Sequence, residues 1–362
     1  VKAAVLTEFG RPLELLEVTV DAPDPGEVLI RVAACGVCHS DRNLAAGGLP
    51  ASPRPQVLGH EVAGVVERVG AGVVDFAPGD RVVTCPAASC GRCAWCMDGL
   101  LHLCTDKGRT RADGRPARLH VDGAPVAQMA GLGGFAEQML VSERAVAAVP
   151  DALPLDRAAL LGCAVVTGMG AVLHTAAVRA GQRVAVVGCG GVGLNVVQAA
   201  RLAGARSIVA VDLDAAKLDR ARHFGATDVV DASSTDPVDA VRTLSGGGVD
   251  HAFEVVGGPG TIEAAFAMLR PRGTATVLGV AHPDARVGIG ALALLDERRL
   301  QGSQLGSTSF RNDVALFAEL YLQGRILLDE LISGRIALAD VNEAMASMDD
   351  SSGARQLVTF AA

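Results

Sequence analysis

Aromatic residues are scarce in this chain. Of 362 residues, nine are Phe, one is Trp and one is Tyr, so little bulk is available to crowd a ligand pocket. A concentrated basic tract is also missing. Lys and Arg number 32 against 40 Asp and Glu, a formal charge of -8. Nucleic-acid binders carry a basic patch or stripe, and an acidic surface repels anionic polymers. Lys107, Arg109, Arg111 and Arg115 gather in one stretch, which reads as a solvated loop. No nucleic-acid partner is expected.

Long uninterrupted apolar runs are absent too. The most apolar tract, 184–200, is broken by Gly188, Gly190, Gly191 and Gly193 and carries Asn195 and Gln198. It reads as a buried strand, a turn and a helix, whereas a membrane span needs about 20 apolar residues in succession. The first residues turn polar too soon for an export signal. Nine cysteines are an odd number, so reduced thiols in the cytoplasm are expected rather than a disulfide framework. Half the residues are hydrophobic, which excludes a disordered chain. The length exceeds what one core holds comfortably, so two domains are expected.

What the chain does have is clustered cysteine. Cys90, Cys93, Cys96 and Cys104 fall within fifteen residues. Four thiolates so close can close a tetrahedral shell around one soft divalent metal, most simply zinc, in a structural site. An isolated C-x-x-C would suit redox chemistry, but four thiols together suit a metal. Such a lobe, at about 85–110, has little apolar content, and bound metal would supply much of its folding energy.

Residues 1–165 alternate short apolar runs with turns. Strands are expected at 28–32, 62–69 and 81–83, giving a mostly β region whose loops carry metal ligands. From about 166 the pattern changes to strands alternating with helices. Strands are expected at 184–187, 207–211, 228–230 and 274–278, with helices at 191–203, 214–224 and 261–269. That alternation predicts βαβ units on a parallel sheet. After about 305, helices are expected at 313–323 and 338–348, and a closing strand at 356–360.

Gly188-Cys189-Gly190-Gly191-Val192-Gly193 reads G-x-G-x-x-G. The motif follows an apolar strand and opens a helix, the context in which it binds a dinucleotide. Gly188 permits the tight turn, Gly190 lets the backbone approach a pyrophosphate, and Gly193 lets helix and strand pack closely. The N–H groups of Gly191, Val192 and Gly193 then face the phosphates at the helix start. Asp212, 24 residues after Gly188, would hold the ribose hydroxyls and repel a 2′-phosphate, favouring NAD over NADP. Its alternative role is a helix cap, a job open to Asp214. Lys217 would reach the same ribose, or it is a solvated lysine.

A second soft ligand set is dispersed: Cys38, His60 and Cys163. Spacing alone leaves it open. Cys35-Gly36-Val37-Cys38 reads equally as a redox pair or half of a zinc knot, His60 as a core histidine, and Cys163 and Cys189 as small buried hydrophobes.

Taken together, these segments resemble the two-zinc, zinc-dependent medium-chain alcohol dehydrogenase family over nearly the whole chain. The resemblance rests on Cys35-Gly36-Val37-Cys38-His39-Ser40-Asp41, Gly59-His60-Glu61, the four-cysteine lobe, Gly162-Cys163, the glycine motif with Asp212, and Gly353-Ala354-Arg355. It implies an α/β fold in which a doubly wound parallel-sheet coenzyme domain, 166–304, is inserted in a mostly β, GroES-like catalytic domain, 1–165 and 305–362. It also implies two zinc ions per subunit. Cys38, His60 and Cys163 become the catalytic zinc ligands, and Cys35 becomes a neighbour.

The resemblance assigns further roles. Asp41 would accept the spare N–H of His60, and Glu61 would sit beside the metal and assist ligand exchange. His39 and Arg355 would contact the pyrophosphate, with a surface salt bridge as the other role for Arg355. Thr167 would sit near the nicotinamide. Ser40 would take the alcohol proton, or else cap a turn. The implied reaction is reversible hydride transfer between an alcohol and NAD.

One position departs from the family. Asn43 stands where many members carry a histidine that finishes a proton relay, and asparagine does not titrate near neutrality. The long 105–134 segment resembles the loop of dimeric members and implies a homodimer. Pro86 in place of a bulky aromatic implies a roomy pocket for a medium, allylic or aromatic primary alcohol. Three alternatives stand beside this reading. In a glutathione-dependent formaldehyde dehydrogenase, Gly108 lies where an anion-binding arginine belongs, with Arg109 or Arg111 as substitutes. In a nicotinoprotein alcohol oxidoreductase, NAD never leaves. A non-catalytic dinucleotide-binding protein would show loss of a zinc ligand, yet all three are present.

Overall fold

The computed structural model describes residues 1–48, 52–106, 117–348 and 354–361. The chain divides into two compact units, Val1–Cys163 with Ser309–Ala362, and Ala164–Thr308. The second unit is thus an insertion in the first.

The first unit is built on the strand Glu27–Gly36, whose Val28, Leu29, Ile30 and Val32 are buried. β-Branched and aliphatic residues at this density suit a pleated surface covered on both faces. Glu61–Val69, Gln138–Ser142 and Arg355–Thr359 all pair antiparallel with it, in a seven-stranded sheet. The strand expected at 356–360 is Arg355–Thr359, and its pairing of Leu357 with Gly36 ties the chain end to this core. A six-stranded sheet that includes Lys2–Leu6 and Ala124–Gln128 is also present. Val28, Ile30, Val62, Leu119, Phe135 and Met139 share the buried core.

Register places the first unit's chemistry. Gly36 lies opposite Glu61 at the end of the Glu27–Gly36 and Glu61–Val69 ladder. Cys38 follows the one strand and His60 precedes the other, so both emerge at the same end of the sheet. A side chain at position 36 would drive a Cβ to 2.2 Å from Glu61 Oε2, so glycine makes room there for the buried carboxylate.

The second unit is a six-stranded, all-parallel sheet. In space the strands run Asp228–Asp231, Ser207–Asp212, Arg183–Val187, Val249–Glu254, Leu269–Val277 and Arg299–Gly302. In chain order that is third, second, first, fourth, fifth, sixth, the doubly wound arrangement whose switch point lies between Arg183–Val187 and Val249–Glu254. The expected α/β fold is therefore present.

Several boundaries differ from expectation. The helix expected at 261–269 is Pro259–Ala267, and the strand expected at 274–278 begins at Leu269. The helix expected at 338–348 is a short turn, Leu338–Asp340, followed by Val341–Ala346. Asp340 accepts the Ala337 N–H at 3.3 Å, which closes a local turn before the helix. Among the described residues, no helix is long and apolar enough to cross a membrane.

Candidate active site

The helix His39–Ala45 starts directly after Cys38, which is its N-cap. Asp41 reaches back, and its Oδ2 accepts the Cys38 N–H at 2.9 Å. Its Oδ1 accepts the Gly59 N–H at 3.0 Å and lies 3.3 Å from His60 Nδ1. One buried carboxylate thus fixes two ligand-bearing segments and the orientation of the imidazole. A histidine so held by a carboxylate presents its other nitrogen as a metal ligand.

The ligand atoms of Cys38, His60, Glu61 and Cys163 all lie within 4.8 Å of one another. Ser40 Oγ donates to Cys38 Sγ at 3.2 Å and is 3.3 Å from His60 Nε2. Cys35 lies outside this group, buried with its thiol 3.7 Å from the Gly36 carbonyl. Behind the cluster, Arg355 Nη2 is 3.1 Å from Glu61 Oε1, with both side chains buried. Arg355 also donates to the Val37 carbonyl at 3.1 Å. The pair is an interior one, not a surface salt bridge. Even so, neither Glu61 oxygen receives an aligned hydrogen bond, which leaves buried acceptor capacity beside the sulfurs.

The buried groups of this cluster shift one another strongly, and of the three ligand candidates Cys38 is the one driven toward the ionised form that a metal takes. The thiol of Cys163 hydrogen-bonds Cys38, which, against burial and with help from Arg355 and His60, holds Cys38 well below the ordinary thiol range. The same contact and burial push Cys163 up. Burial alone would lower the His60 imidazole, but Asp41 and Cys38 outweigh it and hold it well above its usual value. Burial lifts the Glu61 carboxyl to about 7 against the pull of Arg355. A buried ring beside a carboxylate and a readily ionised thiol is the chemistry of a zinc-binding site.

The second cluster is Cys90, Cys93, Cys96 and Cys104. The Cys93–Cys96, Cys93–Cys104 and Cys90–Cys96 sulfur pairs are 3.5, 3.9 and 4.0 Å apart. These bracket the roughly 3.8 Å edge of a tetrahedron with metal–sulfur bonds of about 2.3 Å. The Cys90 N–H points to Cys104 Sγ at 3.2 Å and the Cys93 N–H to Cys90 Sγ at 3.3 Å. Backbone donors around Cys96 and Thr105 draw the Cys93 thiol down to about 6. None of the nine cysteines is joined in a disulfide.

In the second unit the glycine motif lies where Arg183–Val187 passes into the helix Gly191–Leu202, of which Gly190 is the N-cap. Gly188 has φ +97°, and a Cβ at Gly193 would fall 1.9 Å from the Gly188 carbonyl oxygen. At Gly190 a Cβ would meet nothing within 4 Å, leaving open space above the backbone where a pyrophosphate would lie. Gly191 is buried and Val192 half-buried. Asp212 accepts the Cys189 N–H at 2.7 Å and the Leu213 and Asp214 N–H groups at 2.8 and 3.1 Å. Asp214 takes the cap, accepting from Ala216 N–H. Lys217 is half-exposed on the helix Ala215–Phe224.

Two expected cofactor residues sit in different units. His39 is exposed at the start of its helix in the first. Thr167 is buried in the helix Ala164–Gly170 of the second, with its hydroxyl unpartnered. Lys107, Gly108, Arg109, Arg111, Arg115 and Gly353 lie outside the described residues. Sequence reasoning missed Glu254. Its Oε1 accepts from Val256 N–H, Gly257 N–H and Thr261 Oγ at 2.9, 2.7 and 2.7 Å, and Oε2 is buried without a partner. It ends the strand beside Val187 at the switch point. A carboxylate set between Phe253 and Val255, just ahead of Gly257-Gly258, was the available signal.

Comparison with known families decides the class. Residues 24–151 match the model of the alcohol dehydrogenase GroES-like domain, and residues 191–319 that of the zinc-binding dehydrogenase. The chain belongs to the zinc-dependent medium-chain alcohol dehydrogenase family. It is 34% identical to S-(hydroxymethyl)glutathione dehydrogenase of Paracoccus denitrificans, covering 99% of both chains. The benzyl alcohol dehydrogenase structure from Acinetobacter calcoaceticus superposes with a TM-score of 0.94 at 29% identity, covering 99% of both. A structure from Sinorhizobium meliloti 1021 bound to NADP has a TM-score of 0.85 at 32% identity, again covering 99% of both. As an alcohol dehydrogenase of this family, the chain is an oxidoreductase that uses zinc and a nicotinamide cofactor and acts on small alcohols or aldehydes.

Proposed function

We propose that the chain is an NAD-dependent alcohol dehydrogenase with two zinc ions per subunit, acting reversibly on a primary alcohol of medium, allylic or aromatic type. The observation that carries this reading is the convergence of Cys38, His60 and Cys163, with the Ser40 hydroxyl 3.2 and 3.3 Å from the first two. Zinc held by these three residues supplies Lewis acidity, and the nicotinamide supplies the hydride chemistry.

The rest is work for the chain itself. Ser40 Oγ sits beside both ligand atoms and accepts the proton of the alcohol hydroxyl as it passes its own hydroxyl proton on to solvent. Asp41 holds the His60 ring in the tautomer that leaves Nε2 free for the metal. Glu61, paired with Arg355, stands next to the cluster as a further ligand during exchange. Cys90, Cys93, Cys96 and Cys104 hold the structural ion and shape their lobe. The N–H groups of Gly190 to Gly193 receive the cofactor pyrophosphate, with His39, Thr167 and Arg355 completing the set by family likeness. Asp212 disfavours a 2′-phosphate, which supports NAD. Lys217 lies on the next helix, within the same unit. The odd count of nine cysteines supports a reducing, cytoplasmic compartment.

A second reading has its own support. The Paracoccus relative is named for a glutathione adduct, so a glutathione-dependent formaldehyde dehydrogenase is the competing assignment. The test is NADH formation by the purified protein with a panel of primary, benzylic and allylic alcohols, and with formaldehyde with and without glutathione. Turnover of free alcohols is expected. Turnover only with formaldehyde plus glutathione would transfer the assignment. Faster turnover with NADP than with NAD would overturn the role given to Asp212.

A further inference from the structure

A second cavity lies in the inserted unit, at the start of the parallel strands and so at the end of the sheet opposite the glycine motif. It has a volume of about 260 Å³, and its lining includes Arg270, Arg272, Arg299, His251, Asp250 and Thr274. A break in strand register builds it. Val249 pairs with Leu269, but His251 pairs with Thr274. Four residues on one strand therefore oppose a single residue on the other, and the bulged stretch swings Arg270 and Arg272 to the cavity wall. Arg272 is held at φ +65°, a conformation that L residues adopt at a cost.

The charges here do not cancel. Asp250 is the only carboxylate of the lining, and it is already committed to Arg270 and to the Arg183 N–H. Arg272 pairs with Glu297 at 3.0 Å. Arg299 makes no ion pair among the described residues. Three guanidinium groups thus meet two carboxylates, Asp250 and Glu297, and Arg299 is left over as the anion-attracting charge in a protein whose net charge is -8.

His251 refines the ligand. It is 8% exposed, and its Nδ1 is buried with no hydrogen-bond partner. Its Nε2 lies 3.2 Å from Gln182 Oε1, which also accepts the Arg179 N–H at 2.7 Å. Gln182 Oε1 is thus an acceptor, so Nε2 carries the proton and Nδ1 offers a lone pair. Burial and Arg270 hold the ring neutral against the pull of Asp250. An unsatisfied buried acceptor costs stability until a donor meets it.

We propose that this cavity binds a small oxyanion that also carries a hydroxyl, the chemistry of hydrogen phosphate, with the arginines on its charged oxygens and His251 Nδ1 on its P–OH. Sulfate has the same shape and charge but no proton to donate near neutrality, so it is the discriminating competitor.

The experiment is calorimetric titration of the full-length, zinc-loaded protein with inorganic phosphate and, separately, with sulfate, at pH 7.5 and constant ionic strength. One phosphate per chain is expected, bound at least tenfold more tightly than sulfate. Arg299→Gln weakens both anions about tenfold or more, for the loss of one charge-assisted contact. His251→Phe removes the preference for phosphate over sulfate. Arg222→Gln, the same charge change on a distant exposed helix, leaves both affinities alone. Melting temperatures of the variants confirm that each is folded. Absent phosphate binding, equal affinity for the two anions, or phosphate affinity indifferent to Arg299→Gln would each overturn the proposal; the last would point instead to the glycine motif.

Discussion

Asp41 holds the catalytic cluster together through three contacts, to the Cys38 N–H, the Gly59 N–H and His60 Nδ1. Asn has the same shape but turns an amide donor toward N–H groups. On the two-zinc reading proposed above, Asp41→Asn is expected to weaken one of the two sites about 10–100-fold, as the loss of a carboxylate behind a metal-bound histidine does. Chelator competition with a zinc-sensitive dye reads this as one ion released earlier than in the parent, and a release profile unchanged from the parent's would contradict it. Asn43, on the same helix and exposed, bears on proton release instead. Asn43→His supplies a group that titrates near neutrality, so the variant's rate at pH 7 should rise relative to its rate at pH 9. Superimposable pH–rate profiles would sink the idea. The choice between Cys35 and Cys38 shows where sequence alone stops at this scale. Both cysteines stand in the same short motif, and only the pairing of Gly36 with Glu61 leaves Cys35 inside the sheet and Cys38 beyond its edge.

Among the elements, a polar junction joins the segment after the insertion to the helix before it. Asp156, on Leu155–Leu160, accepts from Arg157 Nη1 at 2.8 Å and from Arg335 Nη2 at 2.6 Å. Arg157 also reaches Asp329 at 2.6 Å. Burial by itself would raise Asp156, but the two arginines outweigh it and hold the carboxyl below its ordinary value. A depressed acid stabilises the fold above its unfolded pKa, near about 4, and loses that contribution as pH falls through the folded value. The network is half-exposed, so Asp156→Asn should cost roughly 1 kcal/mol at pH 7. The gap in urea midpoint between parent and variant should shrink below about pH 4. A gap that is constant down to pH 3.5 would refute the linkage.

Legibility varied among elements for a physical reason. Strands of β-branched residues such as Arg183–Val187 could be read directly. Val249–Glu254 reads Val-Asp-His-Ala-Phe-Glu, and its three polar residues hid a strand that is buried throughout. The same polar residues build the second cavity and the switch-point carboxylate, so the unreadable strand is the one with chemistry on it.

For the whole molecule, composition had pointed away from a nucleic-acid binder, and the βα alternation had marked the parallel-sheet region. Association is the property that neither settles. The turn Ala291–Asp296 has no buried residue, and Leu292 and Leu295 are each 78% exposed, with Leu294 at 47% and Leu300 at 38%. Four leucines crowded in and beside one short turn form an apolar patch of the kind monomers rarely leave in water. They lie beside Arg299–Gly302, the edge strand of the parallel sheet, whose outer backbone groups are a template for pairing. A second copy meeting this edge by a two-fold axis would satisfy both the leucines and the strand with one self-complementary contact. The protein is therefore expected to run as a homodimer in light scattering after gel filtration, at twice the 36.9 kDa chain mass. The double change Leu292→Glu with Leu295→Glu places like charges against each other across that axis and should give monomers. A parent of monomer or tetramer mass would refute the homodimer, and a double variant that keeps the parent's mass would show that this face is not the contact.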